Sequence, residues 1–573
     1  MLKQLKLKPF EEWPFIVPSI PQSVKKINQY TEKIKEAKSA SEVLRIIKQV
    51  NKYSDKIENE FVHISVLYSL DTTNKQYEDA MNVMNEGLPL IESASVEYKK
   101  ALLNSPFRYD LEKKLGSFIF KMYEYAQKAF DDRIIDEMVE ENKLTMEYDA
   151  LIAGCKVPYN GEVYNLPQMG KFMQDTDREV RKSASEAYYS YLETRVDEIE
   201  EIYDKLVKLR DTMAKKLGFK NYIELAYLRM GRYDYTPEDV ESYRDQIRDY
   251  VTPLAGKLVK EQFKRTQIKK PEIYDLALMF KDGNPTPIGT TQDKIEAAKE
   301  MYDKLSPETS YFFRFMSDHH VLDLEARPGK QSGGYMTYFP VYEIPFIFSN
   351  FNGTSGDVDV LTHEFGHSFQ AYMSRNIKIP EYRSPTMESC EIHSMSMEFF
   401  AHPYMDKFFS DPEKYKYAHL ADSISFLPYG VTVDEFQHWV YENPEATKAE
   451  RDEKWHELEL KYTPYKVDCY KNCNYMKTGH RWLTQGHIFG SPFYYIDYTL
   501  AQVMAFQFFN LDRKAHLIAW RKYLKVCSSG GKYPFRTLVT KCHLKDPFVP
   551  GVIASTIKPL TKVLKTYKIE EQE

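Results

Sequence analysis

"VLTHEFGHSF", Val360 to Phe369, sets two histidines four residues apart with a glutamate directly after the first. On an α-helix His363 and His367 stand one turn apart, so both imidazoles leave the same face and can meet one ion. Glu364 projects to the side of that pair, where a carboxylate can take a proton from water. The spacing reads as a helix carrying part of a zinc site together with its general base. A catalytic zinc takes three protein ligands and keeps one position open, so a neighbouring element must supply another donor.

"SPTMESCEIHSMSMEFF", Ser384 to Phe400, offers that donor. Ser384 reads as an N-cap and Pro385 as the first helical residue. The helix is rich in Met and Phe and reads as buried, and a carboxylate in such a place needs a partner. Glu388, Glu391 and Glu398 are all available, Glu391 and Glu398 share a face, and His393 is a fourth possible donor. Spacing alone does not choose among them. Asp359, one turn before His363, and Glu398, two turns after Glu391, are candidates for the carboxylates that orient ligand histidines.

Working outward, "GGYMTYFPVYEIPFIFSNFNGTSG" before the motif is β-rich, and its Pro340 and Pro345 suit an edge strand, which can accept an extended peptide. From about Ser23 to Ser105 the pattern is long amphipathic helices, with Val43, Ile46, Ile47 and Val50 at i, i+3, i+4, i+7. "VPYNGEVYNL" predicts a small hairpin turning at Asn160-Gly161. Helical periodicity resumes at "DTDREVRKSASEAYYSYLE", capped at Asp175 or Thr176, and "KDGNPTPIGTT" from Lys281 is a loop. A soft boundary near 200 divides the chain into an N-terminal helical lobe with a hairpin, 1–200, and a catalytic domain, 201–573. Downstream, "HIFGSPFYYIDYTLAQV" places His487, Tyr494, Tyr495 and Tyr498 around a Gly-Pro turn, donors of the kind an oxyanion needs.

Composition bounds the rest. The chain of 573 residues is long enough for two large lobes, and 43% hydrophobic with 28% charged residues is the balance of a globular protein. No apolar run has the length of a signal peptide or membrane span, which predicts a cytoplasmic, non-membrane protein. A net charge of -6 with dispersed Lys and Arg gives no nucleic-acid surface. Six scattered cysteines read as reduced thiols.

"NFNGTSGDVDVLTHEFGHSFQAY", followed by Glu391 twenty-four residues after His367, resembles the M3 family of zinc oligopeptidases, and most closely its oligoendopeptidase F branch. The resemblance extends from about Arg178 to Gly531. It implies that Glu391 is the third zinc ligand beside His363 and His367, with Glu364 as base. It also implies a mainly helical, two-lobed shell around a deep channel, with a small β-element beside the zinc. His487, Tyr495 and Tyr498 match the family's mobile loop that contacts the substrate carbonyl, and Tyr494 could stand in for Tyr495. The implied activity is hydrolysis of internal bonds in short unfolded peptides. Two other readings compete: a zinc carboxypeptidase, for which Arg383 and Arg481 could grip a terminal carboxylate, and a peptide-binding protein of this fold without catalysis. Imidazole and carboxylate ligands accept cobalt or manganese as well as zinc.

Overall fold

The computed structural model describes residues 8–569 apart from Ser332. The expected mainly helical fold is present, with five short strands among the described residues. The chain forms two compact units, each drawn from three stretches. The first takes the described residues of Met1–Phe130, Thr286–Pro412 and Gln507–Leu544; the second takes those of Asp131–Pro285, Glu413–Phe506 and Lys545–Glu573. Residue 200 lies inside the helix Val196–Lys216, and each unit uses chain from both sides of it. Among the described residues no helix is long and apolar enough to cross a membrane.

The first unit opens on the helices Ile20–Glu36, Ala40–Leu70 and Lys75–Leu103. Ser39 starts the second by accepting the Glu42 backbone N–H, which satisfies a donor the first turn leaves over. Val43, Ile46, Ile47 and Val50 all turn into one core with Ile27, Ile34 and Leu102, as their spacing requires.

A three-stranded sheet follows: β3 (Leu322–Glu325), β4 (Tyr335–Phe339) and β5 (Ile344–Phe351), in the order β3-β5-β4. The proline-bearing stretch is thus two strands, and Pro345 sits in the central one rather than at an edge. The reason is register. β3 pairs with β5 only from Ile347 onward, so at Pro345 the strand has β4 alone as neighbour and its missing N–H breaks no ladder on the other side. Pro340 lies in the turn after β4, which itself holds the outer position of the sheet.

β5 leads directly into the helix Gly356–Ser374, here the histidine helix. Asp357 fixes the junction: its carboxylate accepts the backbone N–H groups of Asn352 at 2.8 Å and Gly353 at 3.0 Å, with Lys294 Nζ at 3.5 Å. Against this helix packs the helix Met387–Ala401, the glutamate helix. It begins at Thr386, two residues later than the Ser384 cap expected from sequence, because Pro385 ends up before the first turn rather than in it.

In the second unit β1 (Val157–Tyr159) and β2 (Glu162–Tyr164) form the expected antiparallel hairpin. Asn160 and Gly161 take φ of 50° and 81°, the two positive values a type I′ turn demands. After a short helix, Leu166–Met173, the helix Arg178–Glu193 is capped by Asp177, not Asp175 or Thr176. Asp175 instead accepts the Asp177 N–H, closing the turn one step earlier. Buried arginines brace this unit. Arg210 binds Glu141 at 2.7 Å and the Ile488 and Phe489 carbonyls, and Arg232 pairs with Asp497 at 2.6 Å while donating to the Phe493 carbonyl at 2.9 Å. The segment from 488 to 497 is therefore held from below by two guanidinium groups.

One contact in the first unit sets the spacing of the two motif helices. A Cβ on Gly366 would stand 2.6 Å from both the His393 carbonyl oxygen and the Ser394 Cα, inside any permitted contact, so the helices approach as closely as they do only with glycine there. Gly366→Ala must push backbone against backbone. We expect it to destabilise the fold by about 1–3 kcal/mol and to weaken metal retention. Urea denaturation and metal analysis check this; stability and metal content equal to those of the wild type would refute the packing argument.

Candidate metal centre

The histidine and glutamate helices bring three donors together. His363 Nε2 lies 3.2 Å and His367 Nε2 3.4 Å from Glu391 Oε2, and the three ligand atoms all fall within 4.8 Å of one another. A tetrahedron with metal–ligand bonds of about 2.0–2.1 Å has edges of about 3.3–3.4 Å, so the triad has the dimensions of three corners of a zinc site. Two imidazoles and one carboxylate are also the donor set of a catalytic site with an open position. The residues fit the metal.

Each donor is held in turn. His363 Nδ1 meets Glu398 Oε1 at 2.6 Å, a carboxylate placed to accept the Nδ1 proton so that Nε2 is the nitrogen facing the triad. Ser394 donates its hydroxyl to Glu391 Oε2 at 2.9 Å. Burial works against the charge on Glu391, but His367 and His363 outweigh it and hold the carboxyl well below its ordinary range. Burial likewise disfavours a charged His363, yet hydrogen bonds and charge from Glu391 and Glu398 hold it well above the ordinary imidazole value. These opposed shifts mark a carboxylate–imidazole cluster whose charges are balanced only together.

Glu364 stands next to the triad, 8% exposed, and is not one of its donors. Burial pushes its carboxyl above the usual range, and the nearby His367 and His363 pull it back only in part. A carboxylate so raised accepts a proton more readily, as a general base must.

The other candidates fall elsewhere. His393 is buried with Nδ1 at 3.0 Å from the Cys390 carbonyl, its own carbonyl accepting the Tyr523 hydroxyl, and burial drives its imidazole down to about 4. Glu388 is buried outside the donor set, and Asp359 is half-exposed on the histidine helix, also outside it. Of the two suggested orienting carboxylates, Glu398 is the one bound to a ligand histidine. Asp357, which sequence reading passed over, holds the strand-to-helix turn. Its signal was available, since an acidic residue in the first turn of a helix is placed to accept free N–H groups.

His487, Tyr494, Tyr495 and Tyr498 belong to the second unit and gather there as one cluster. The His487 ring lies 5.9, 5.1 and 5.6 Å from the rings of Tyr494, Tyr495 and Tyr498, and His487 Nε2 is 3.4 Å from the Tyr498 hydroxyl. All four are half-buried, as side chains that meet both core and solvent are. Two supports were not foreseen: Gln485 Nε2 sits 2.9 Å from His487 Nδ1, and the Tyr429 hydroxyl donates to Gln485 Oε1 at 2.7 Å.

Removing the orienting carboxylate tests the metal geometry without touching a ligand. Glu398→Ala should lower zinc affinity about 10–100-fold, measured by competition with a chelator, because His363 loses both its tautomer lock and its basicity. Unchanged affinity would mean that Glu398 does not act on the metal.

Comparison with known proteins bears on the same residues. The family model described as "Peptidase family M3" matches residues 171–556, and that of the "Peptidase M3 N-terminal domain" matches residues 10–130. The chain is 24% identical over 400 residues to the oligoendopeptidase F homolog of Borreliella burgdorferi, covering 67% of this chain and 64% of that protein. It is 25% identical over 236 residues to the chromosomal oligoendopeptidase F of Lactococcus lactis subsp. cremoris, covering 40% and 37%. It thus spans less than two thirds of either curated relative. The solved structure of PZ peptidase A with inhibitor 2 superimposes with a TM-score of 0.93 at 43% identity, over 98% of this chain and all of that one. Oligoendopeptidase-F from Enterococcus faecium, at 15% identity and a TM-score of 0.60 over 96% of each chain, shares the fold. With two thirds of its length matched by one family model and a three-donor centre on the matched residues, this chain belongs to peptidase family M3.

Proposed function

We propose that the protein is a zinc endopeptidase that hydrolyses internal bonds of short unfolded peptides. The observation that carries this reading is the convergence of His363, His367 and Glu391 with the buried Glu364 beside them. When bound there, zinc supplies Lewis acidity, polarising a scissile carbonyl and acidifying a water molecule. Glu364 takes the proton from the attacking water and hands it to the leaving amine, a shuttle that its raised proton affinity favours. Glu398 keeps the Nε2 lone pair of His363 directed into the centre. Tyr498, with His487 and Tyr495 packed around it, donates to the oxyanion that forms on the carbonyl oxygen. β4, at the outer position of its sheet, is the element on which a peptide can lie extended.

The names of the relatives, oligoendopeptidase and PZ peptidase, support peptides as the substrate class. Both cations offered for the carboxypeptidase reading have partners of their own, which favours the endopeptidase reading. Arg383 is engaged by Asp55 at 2.7 and 3.1 Å, and Arg481 by Glu459 at 3.2 Å with its guanidinium over the Tyr429 ring. A binding protein without catalysis has no use for Glu364, which is retained. A cytoplasmic setting is supported by the cysteines, no two of which are joined by a disulfide.

The test uses peptides blocked at both ends. The wild-type chain should cut them at internal bonds, and Glu364→Gln should keep its zinc while losing at least about a hundredfold in kcat. Blocked peptides left intact, or a Glu364→Gln enzyme of near-normal turnover, would overturn the proposal. Tyr498→Phe should leave metal content unchanged and lower kcat about 100–1000-fold with little change in KM, since its hydroxyl acts mainly in the transition state. Steady-state kinetics on the folded, zinc-loaded variant decides, and a kcat within about threefold of wild type removes Tyr498 from the reaction.

A further inference from the structure

The second unit contains another convergence of donors, remote in sequence from the histidine helix. Glu200, on the helix Val196–Lys216, Asp452, on the helix Lys448–Tyr462, and His480, opening the 3-10 turn His480–Thr484, place one donor atom each within 4.8 Å of the other two. The geometry points to a second divalent-cation site, formed by Glu200, Asp452 and His480, that binds a metal of the zinc or manganese type and clamps this turn to the two helices.

Three observations support it. Glu200 is only 5% exposed, and its Oε1 is buried without any hydrogen-bond donor. An ionised carboxylate in that position needs a positive partner. Next, the ring of His480 is oriented with Nε2 towards the carboxylates. The Thr478 hydroxyl donates to the Asn474 carbonyl at 2.9 Å, so towards His480 Nδ1, 3.0 Å away, its oxygen accepts. Nδ1 therefore carries a proton, and Nε2 is the nitrogen that faces the carboxylates and that a metal would take. Finally, His480 Nε2 stands 3.4 Å from Asp452 Oδ2, longer than the roughly 2.7–2.9 Å of a charge-assisted hydrogen bond but equal to a ligand–ligand edge at bond lengths of about 2.1 Å. The same edge occurs between His367 and Glu391 in the first site.

Asp452 is oriented as a ligand carboxylate is. Its Oδ1 accepts the Trp482 indole N–H at 2.9 Å, leaving Oδ2 for the centre. Two carboxylates and one imidazole bring two negative charges, which suit a divalent ion, and the mixed oxygen and nitrogen set suits zinc or manganese. A proton shared by Glu200 and Asp452 is the competing occupant: burial, then Asp452 itself, raises the Glu200 carboxyl to about 7. Burial disfavours a charged His480, but Asp452 outweighs it and raises the imidazole, so a proton on Nε2 is a second competitor, which a bound ion would displace. The turn that His480 opens runs straight into Gln485 and His487, so an ion here would stiffen the chain that presents the aromatic cluster.

The test is made in the full chain with its first centre disabled by His363→Ala and His367→Ala, so the outcome does not depend on the peptidase reading. After equilibrium dialysis against Zn2+, and separately against Mn2+, metal analysis should find about one ion per chain, and the melting temperature should rise with the ion. Adding Glu200→Gln, or in a separate protein His480→Ala, should abolish both. In parallel, native mass spectrometry of the unsubstituted chain loaded with Zn2+ should show two ions, a reading that needs no variant to fold. A disabled chain that retains neither ion, retention unaffected by Glu200→Gln and His480→Ala, or a single ion on the unsubstituted chain would each overturn the site.

Discussion

The metal centre depends on how closely two helices can approach. Gly366 lies against the backbone at His393 and Ser394, and this contact brings the glutamate helix near enough for Glu391 to reach two histidines one turn apart on its neighbour. A side chain of any size at 366 would separate the axes, and the three donors would no longer form the edges of one coordination polyhedron. Glu398 uses the same proximity two turns further on, where it meets the far nitrogen of His363. The glycine between the histidines of the motif is thus a requirement of packing that serves chemistry, while His363, Glu364 and His367 are requirements of chemistry that packing must accommodate.

Several buried charges are kept where opposite charge or fixed donors surround them. Asp357 has two backbone N–H groups and a lysine; Arg210 has a carboxylate and two carbonyls; Arg232 has Asp497 and the Phe493 carbonyl. Each of these groups holds irregular chain beside candidate site residues, the first at the start of the histidine helix, the others along the segment that carries the aromatic cluster. The His363, His367 and Glu391 triad balances charge among its own members, and its potential ligand atoms converge on one point. That convergence is the observation on which the proposed metal site rests.

What could be read from sequence divides along the same line. The one-turn spacing of the histidine pair with Glu364 beside it, and the hairpin at Asn160-Gly161, follow from local geometry, in which a few residues determine their own arrangement. The buried face of Val43, Ile46, Ile47 and Val50 follows from periodicity. The choice of Glu391 over Glu388, Glu398 and His393 depends on the relative rotation of two helices, which no local pattern carries; it came from resemblance to a family. Pro345 was misplaced for a related reason, since whether a strand position has one neighbour or two is decided by the register of a third strand. The supports supplied by Gln485 and Tyr429 join chain 56 residues apart, and their types are too common to attract notice in a sequence. The division near 200 assumed units that follow one another along the chain, whereas the compact units interleave.

The most direct test of the central claim is anomalous scattering at the zinc edge from crystals of the zinc-loaded protein. The account predicts a strong peak at about 2.0–2.2 Å from His363 Nε2, His367 Nε2 and a carboxylate oxygen of Glu391, with Glu398 bound to His363 and not to the metal. A peak ligated by Glu398 or His393 in place of Glu391, or no peak between the two helices, would contradict it.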